Sequence, residues 1–488
     1  MRFALAALFL VLVLRAAEPE SLPGVIRQRG VYSQDYAGDW RNLPTGDVLA
    51  RRDLAAITFQ DVAGEEARKS WVGEDEVRIT DLALRVRWNG ESNKMRTTLF
   101  TIRECRRVVI ENVAIVQLDP DYRGYDTIRI EDCDEVIVRN SHFGGAVQSY
   151  HLRLDGCGAA LFERVEIAGH DHGELGSRGG GGIFIQNGAT GRGGPRDNMI
   201  STPNPRLLSW LVIQHCYFHG LTASDGKRRN QDGILVHSPT EGIIFNCVVE
   251  DWSETHGDAA MDVGFRRADL ENGFFRIERN IFRRCTLAKS PGDAGHPSNT
   301  LLWVNNLFDG GFFGDYHGKW PLHHVHNTYV IRDRQPLYKL WGRNEGPAYL
   351  HNCLVYNPGE PAYQVVFQND QGEPTRFRNL VLDHNTYLMP PPDKWVGGKG
   401  ATVGNWEAWQ NTENQDRHSA MAAPGKVFAD FANGDYRPLP QAVPAGTASP
   451  HFRNPEQSWL RVDRDFRGQP RPAKPTAGAF EPSVAGQP

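Results

Sequence analysis

The sequence predicts an all-β fold, a right-handed parallel β-helix of about ten or more turns, and three observations carry that prediction. First, FTIRECRRVVIENVAIV, IRIEDCDEVIVRNSHF and LRLDGCGAALFERVEI align without gaps. Each has alternating apolar residues, a Cys and a second alternating run; their cysteines, Cys105, Cys133 and Cys157, lie 28 and 24 residues apart. Second, the later run recurs as LVIQHCYF, IIFNCVVE, FRIERNIF, LWVNNLF, HHVHNTYV, AYLHNCLV and VLDHNTYL. Third, each unit alternates with period two between Gly, Asp, Asn and Pro, and no segment carries a long helical period. Short strands repeating every 20–30 residues or so mark a solenoid, whereas a propeller blade needs about 40. Stacked turns then bury one continuous core.

The elements follow in order. Arg2, the apolar stretch Phe3–Leu14 and the small residues Ala16 and Ala17 predict a secretory signal peptide over residues 1–17. The stretch is too short for a membrane span. A secreted or periplasmic protein is therefore expected, with no membrane span after signal removal. Residues 18–75 are expected to cap the first turn, residues 76–390 to form the solenoid and its catalytic face, and residues 391–488 to supply late turns and a closing segment. GGGGIFIQNG (179–188) fills a gap of 51 residues between Arg164 and His215 with the missing strand. An Asn or its equivalent recurs near the strand ends, at Asn112, Asn140, Arg164, His215, Asn246, Arg279, Asn305, Asn327, Asn352 and Asn385. These fit a stacked ladder of turn residues that tolerate left-handed backbone. The seven cysteines are odd in number, form no CxxC pair and sit in strand-like runs, so they read as buried thiols.

With 54 basic and 59 acidic residues the chain has a net charge of −5, which argues against a nucleic-acid binder. A long flat β-helix face suits a linear polymer, and an exported, acidic β-helix suggests a polysaccharide as the partner of a monomeric protein. The densest polar group lies between Asn230 and Lys339. NQDGILV places Asn230 and Asp232 on one side of a strand, and DAAMDVG supplies Asp258 and Asp262 about one turn later. Three carboxylates and an amide oxygen from adjacent turns suit a hard cation such as Ca²⁺. Trp303, Tyr338 and Trp341 are candidates for stacking on sugar rings. His323, His324 and His326 in HHVHN lack an acidic or Cys companion and do not read as a zinc site.

These residues resemble the pectate lyase family of parallel β-helix proteins. NQDGILV and DAAMDVG are similar to its calcium strands, and TLAK to its lysine segment. HHVHNTYV, RQPLYKLWG and AYLHNCLVYN resemble its HHN, RxPxxR and closing-strand motifs, in the family's order over about 130 residues from Asn230 to Asn357. The resemblance implies Ca²⁺ at Asn230, Asp232, Asp258 and Asp262. It implies Lys289 as the contact to a substrate carboxylate, Arg334 as the base, and Lys339 in place of the family's second arginine. His326 and Lys339 are rival bases. Asn230 replaces an acid, and Lys289 and Arg334 stand about one turn further apart than in the family. The implied activity is β-elimination from a uronic-acid polysaccharide. Two alternatives stand beside it: a glycoside hydrolase using Asp232 and Asp258 as acid and base, and a non-catalytic carbohydrate-binding β-helix.

Overall fold

The structure, a computed structural model, describes residues 58–88, 97–118, 126–147, 149–170, 181–186, 208–221, 232–252, 259–267, 269–285, 287–292, 295–332, 335–340, 345–359, 365–369, 379–398, 403–444, 446–449 and 462–482. The expected signal peptide and most of the expected cap lie outside them. The strands form two long parallel sheets, one of twelve strands and one of twenty, as in a β-helix solenoid. The twelve-stranded sheet runs in chain order from Lys69–Val72 to Lys394–Gly398, one strand per coil. In the larger sheet, early coils contribute single long strands such as Arg107–Gln117 and Glu135–Gly145. From Leu208 onward each coil contributes two, as Leu208–Gln214 and Tyr217–Leu221 do. Among the described residues no helix is long and apolar enough to cross a membrane.

The bend inside each coil is made by one residue of left-handed backbone. Asn112, Asn140, Arg164, His215, Asn246, Arg279, Asn305 and Asn352 all have φ between 47° and 58°. Non-glycine residues seldom adopt this conformation, and Asn tolerates it best. In two coils the ladder is shifted from its expected place: His326 and His384, not Asn327 and Asn385, take the positive φ. Asn327 and Asn385 instead follow the bend and turn inward.

The residue after the bend faces the core, and from Leu208 onward its chemistry comes in two kinds. Asn280, Asn306 and Asn327 stack as an amide ladder. The Asn280 Nδ2 donates to Asn306 Oδ1 at 3.0 Å, and Asn306 Nδ2 donates to Asn327 Oδ1 at 3.1 Å. Cys216, Cys247 and Cys353 occupy the same place, and each thiol donates to the carbonyl two residues back, at 3.3–3.4 Å. All seven cysteines are buried, and none forms a disulfide.

The described residues 427–444, 446–449 and 462–480 are not further coils. Phe428–Asp430 pairs antiparallel with Asp435–Pro438, and the segment folds back over the outside of the helix. Phe428, Tyr436, Phe466 and Phe480 there pack against Tyr217, Val248, Ile281, Leu307 and Leu354, an outward apolar column of the larger sheet. The coil stack ends at Ala420–Ala422, paired to Thr386–Leu388. A short helix, Trp406–Thr412, lies before it; the Asn405 side chain accepts the Ala408 N–H at 2.8 Å, and Trp409 stacks on Phe367.

Candidate functional site

The twelve-stranded sheet brings three of the seven described residues expected to act, Asp262, Lys289 and Lys339, into one register. Period-two alternation builds its outer face. Ile234, Val236, Met261 and Val263 are in the core, so Leu235, His237 and Asp262 take the other face. Strand register then places Leu235, Asp262, Lys289, Gly314 and Lys339 in a single column on consecutive strands. Neighbours in such a column are about 4.8 Å apart. Close backbone approach fixes two glycines of this region. A Cβ on Gly233 would meet Ala260 O at 2.5 Å, and one on Gly182 would meet Gly233 O at 2.2 Å. The glycine of NQDG is therefore required by coil packing.

Asp262 is buried, and His237 Nε2 lies 3.3 Å from its Oδ1. His237 went unnoticed in the sequence, although it stands two residues beyond Leu235 and shares its parity. Lys339 is half-buried, with Nζ 4.0 Å from the centroid of the Phe312 ring, a cation–π geometry. Lys289 holds its register position against Asp262 and Gly314. Further down the same face, Arg153 lies over the Phe184 ring at 4.7 Å and donates to Asp155 at 2.7 Å.

Asp232 is buried at the leading edge of the sheet and accepts from the Tyr150 hydroxyl at 3.4 Å. It stands three residues before Leu235, the register partner of Asp262. The strand itself begins at Ile234, so Asp232 precedes it. Asp232 and Asp262 are the two carboxylates of the expected calcium set that the structure describes. The other two, Asn230 and Asp258, lie outside the described residues, as do Arg334 and Trp341. Along the same edge, burial pushes the Asp126 carboxyl up to about 6 while its Oδ1 accepts the Tyr150 N–H at 3.2 Å. Burial likewise pulls His151, beside Thr127, down to about 3.

Three expected site residues are elsewhere. Trp303 is fully buried in the main core, flanked by Phe313 and His324, and offers no face to a sugar. Tyr338 is also a core residue, and its hydroxyl donates to the buried Asp315 at 2.5 Å. Both have the inward parity of their strands. His326 is a bend residue on the larger sheet, covered by the folded-back C-terminal segment. Burial, then the charge of Arg471, holds its imidazole well below the ordinary range, and Asn352 Nδ2 lies 3.1 Å from its Nε2. It cannot reach a polymer on the other sheet. The remaining histidines of HHVHN also part company: His323 stacks on Tyr349, and His324 accompanies Trp303 in the core.

No protein-family model matches this chain, and no curated protein matches it.

Proposed function

We propose that the chain is a polysaccharide lyase that cleaves a uronic-acid-containing polymer by β-elimination on the outer face of the twelve-stranded sheet. The observation that carries this reading is the register column of Asp262, Lys289 and Lys339, with His237 3.3 Å from Asp262. Elimination removes the proton on carbon 5 of the uronate. The C–H electron pair becomes the double bond to carbon 4, the bond from carbon 4 to the glycosidic oxygen breaks, and that oxygen leaves with a proton. Negative charge builds on the neighbouring carboxylate, so fixed cations lower the barrier. Lys289 and Lys339 stand in the column where such cations are needed. His237 is the base, with Asp262 orienting its ring and stabilising the imidazolium. Arg334 is the rival base that the resemblance to pectate lyases brings. Asp232 and Asp262 are the described residues that would hold calcium, and no step passes through it. The coil is read as right-handed, the hand that parallel β crossovers take almost without exception. The signal-like leader supports an exported enzyme meeting its polymer outside the cytoplasm.

The test is ultraviolet absorbance from unsaturated uronate ends. The mature protein meets a panel of acidic polysaccharides, with Ca²⁺ and with EDTA. We expect absorbance to rise on one polymer class, and His237→Gln to slow it at least ~100-fold. Reducing ends without the chromophore would replace the lyase by a hydrolase. A His237→Gln variant at full rate would return the base to Arg334.

A further inference from the structure

A second cluster lies at the far end of the solenoid, on the other sheet. Asp383 ends the strand Leu380–Asp383, and His384 is the bend residue that follows it. His418 comes from the segment after the short helix, just before the last coil strand Ala420–Ala422. His418 Nδ1 lies 2.7 Å from Asp383 Oδ2, and His384 Nε2 lies 3.9 Å from the same oxygen. One ligand atom from each of the three side chains lies within 4.8 Å of the others. The carboxylate is already aimed: its Oδ1 accepts the backbone N–H groups of His384 at 3.0 Å and His418 at 2.8 Å. That leaves Oδ2 turned to the two imidazoles. Ligands held by such outer contacts bind metal more tightly. The cluster opens on a depression of about 490 Å³ lined by His351, Glu413, Gln415 and Arg417, which gives room for water ligands.

We infer that Asp383, His384 and His418 bind a divalent transition-metal ion and so staple the closing segment to the last full coil. Two imidazoles and one carboxylate with open positions suit a first-row ion such as Zn²⁺ or Co²⁺, in contrast to the all-oxygen set expected for Ca²⁺. The staple follows from connectivity. Asp383 and His384 belong to the coil, whereas His418 lies beyond the helix, so an ion shared among them ties the two together. The site is remote from the column of Asp262 and does not depend on the lyase reading.

The experiment titrates Co²⁺ into the full mature protein, made without a polyhistidine tag, and reads visible d–d absorption. Zn²⁺ competition then gives its affinity, and thermal melts are run with Zn²⁺ and with EDTA. We expect one equivalent of Co²⁺, displaced by Zn²⁺, and a melting temperature raised by Zn²⁺. His418→Gln is expected to weaken binding at least tenfold and to abolish the Zn²⁺ shift. Its side chain is 66% exposed, so the variant keeps the fold. Asp383→Asn serves as a second variant of the same size. Absence of cobalt bands, or undiminished binding in both variants, overturns the site. Binding without any thermal shift overturns the staple.

Discussion

The early coils and the later coils share one backbone plan and differ in what covers them. On the long early strands the outward faces carry ion pairs, such as Arg107 with Glu135 at 3.1 Å and Arg139 with Glu111 at 2.9 Å. From Tyr217 onward the second half-strand turns an apolar column outward, and the C-terminal segment lies on it. The bend residues follow the same division. Early on, Asn112 Nδ2 donates to Asp81 of the neighbouring coil at 3.1 Å. Later, Asn305 Nδ2 donates to Arg464 O at 2.7 Å, and Asn352 exchanges two bonds with the Ser449 backbone. The left-handed turn is thus fixed by the coil, and its side chain is free to hold whatever lies outside. Where the outer face is apolar, that is a strap.

The sharpest way to break this comparison is to cut the strap's own anchor. Arg471 is buried, forms an ion pair with Glu481, and donates to Asn305 Oδ1 at 2.7 Å and Gly478 O at 2.9 Å. Removing one partner of a buried pair costs about 3–5 kcal/mol, because the other charge stays buried. Arg471→Met is therefore expected to release the C-terminal strap by that much while leaving the early coils in place. Limited proteolysis followed by mass mapping should show cuts confined to the strap, with far-ultraviolet circular dichroism retained. Loss of early and late coils together would make strap and solenoid one cooperative unit.

A somewhat smaller effect separates the two chemistries that share the inward position. Asn306 accepts from both the Asn280 backbone N–H and its Nδ2, and donates to Ile277 O and Asn327 Oδ1. Asn306→Ala leaves several buried groups unsatisfied, at roughly 1–3 kcal/mol each, so a loss of about 3 kcal/mol or more is expected. Cys247→Ala removes only a weak thiol donor and a small volume, and about 1 kcal/mol is expected. Urea unfolding of the two variants measures the difference. Equal losses would mean that packing, and not amide bonding, sets the value of this position.

The β-solenoid was legible in the sequence because alternation and repeat spacing both act within one coil. The bend ladder was legible wherever Asn itself takes the turn. It slipped at His326 and His384, where the neighbouring Asn327 and Asn385 carry the internal bonds instead. The face of an aromatic residue was harder to read. In these coils many outward positions are also covered and apolar, so polarity alone does not separate the two parities. Trp303 and Tyr338 consequently looked like sugar platforms and are core. Asp262 was found through its motif, but His237 acquires its partner only when coils stack. The same holds for His418, which reaches Asp383 from 35 residues further along the chain.

The mildest test uses protons, and it touches both regions. His151 lies in the early coils and is pulled down to about 3; His351, on the last coils, is pulled down to about 4; His326 lies under the strap and is also lowered, all three chiefly by burial. Unfolded, each titrates near 6.5. As pH falls from about 6.5, the unfolded chain takes up these protons and the folded chain does not, so stability falls with pH. Asp126, raised to about 6, and Asp416, also raised by burial, act in the opposite sense: their contribution is present at low pH and lost as pH rises. Around pH 5 His151 alone leaves about one more proton on the unfolded chain than on the folded one, or about 1.4 kcal/mol of stability lost per unit of acidification. His151→Gln should remove that slope from the main unfolding transition, since Gln can still bond Thr127. His326→Gln should leave the main slope and flatten only the pH dependence of strap release, followed by proteolysis. If both variants flatten the same transition, the strap and the early coils unfold together, and the division between covered and uncovered coils does not extend to their stability.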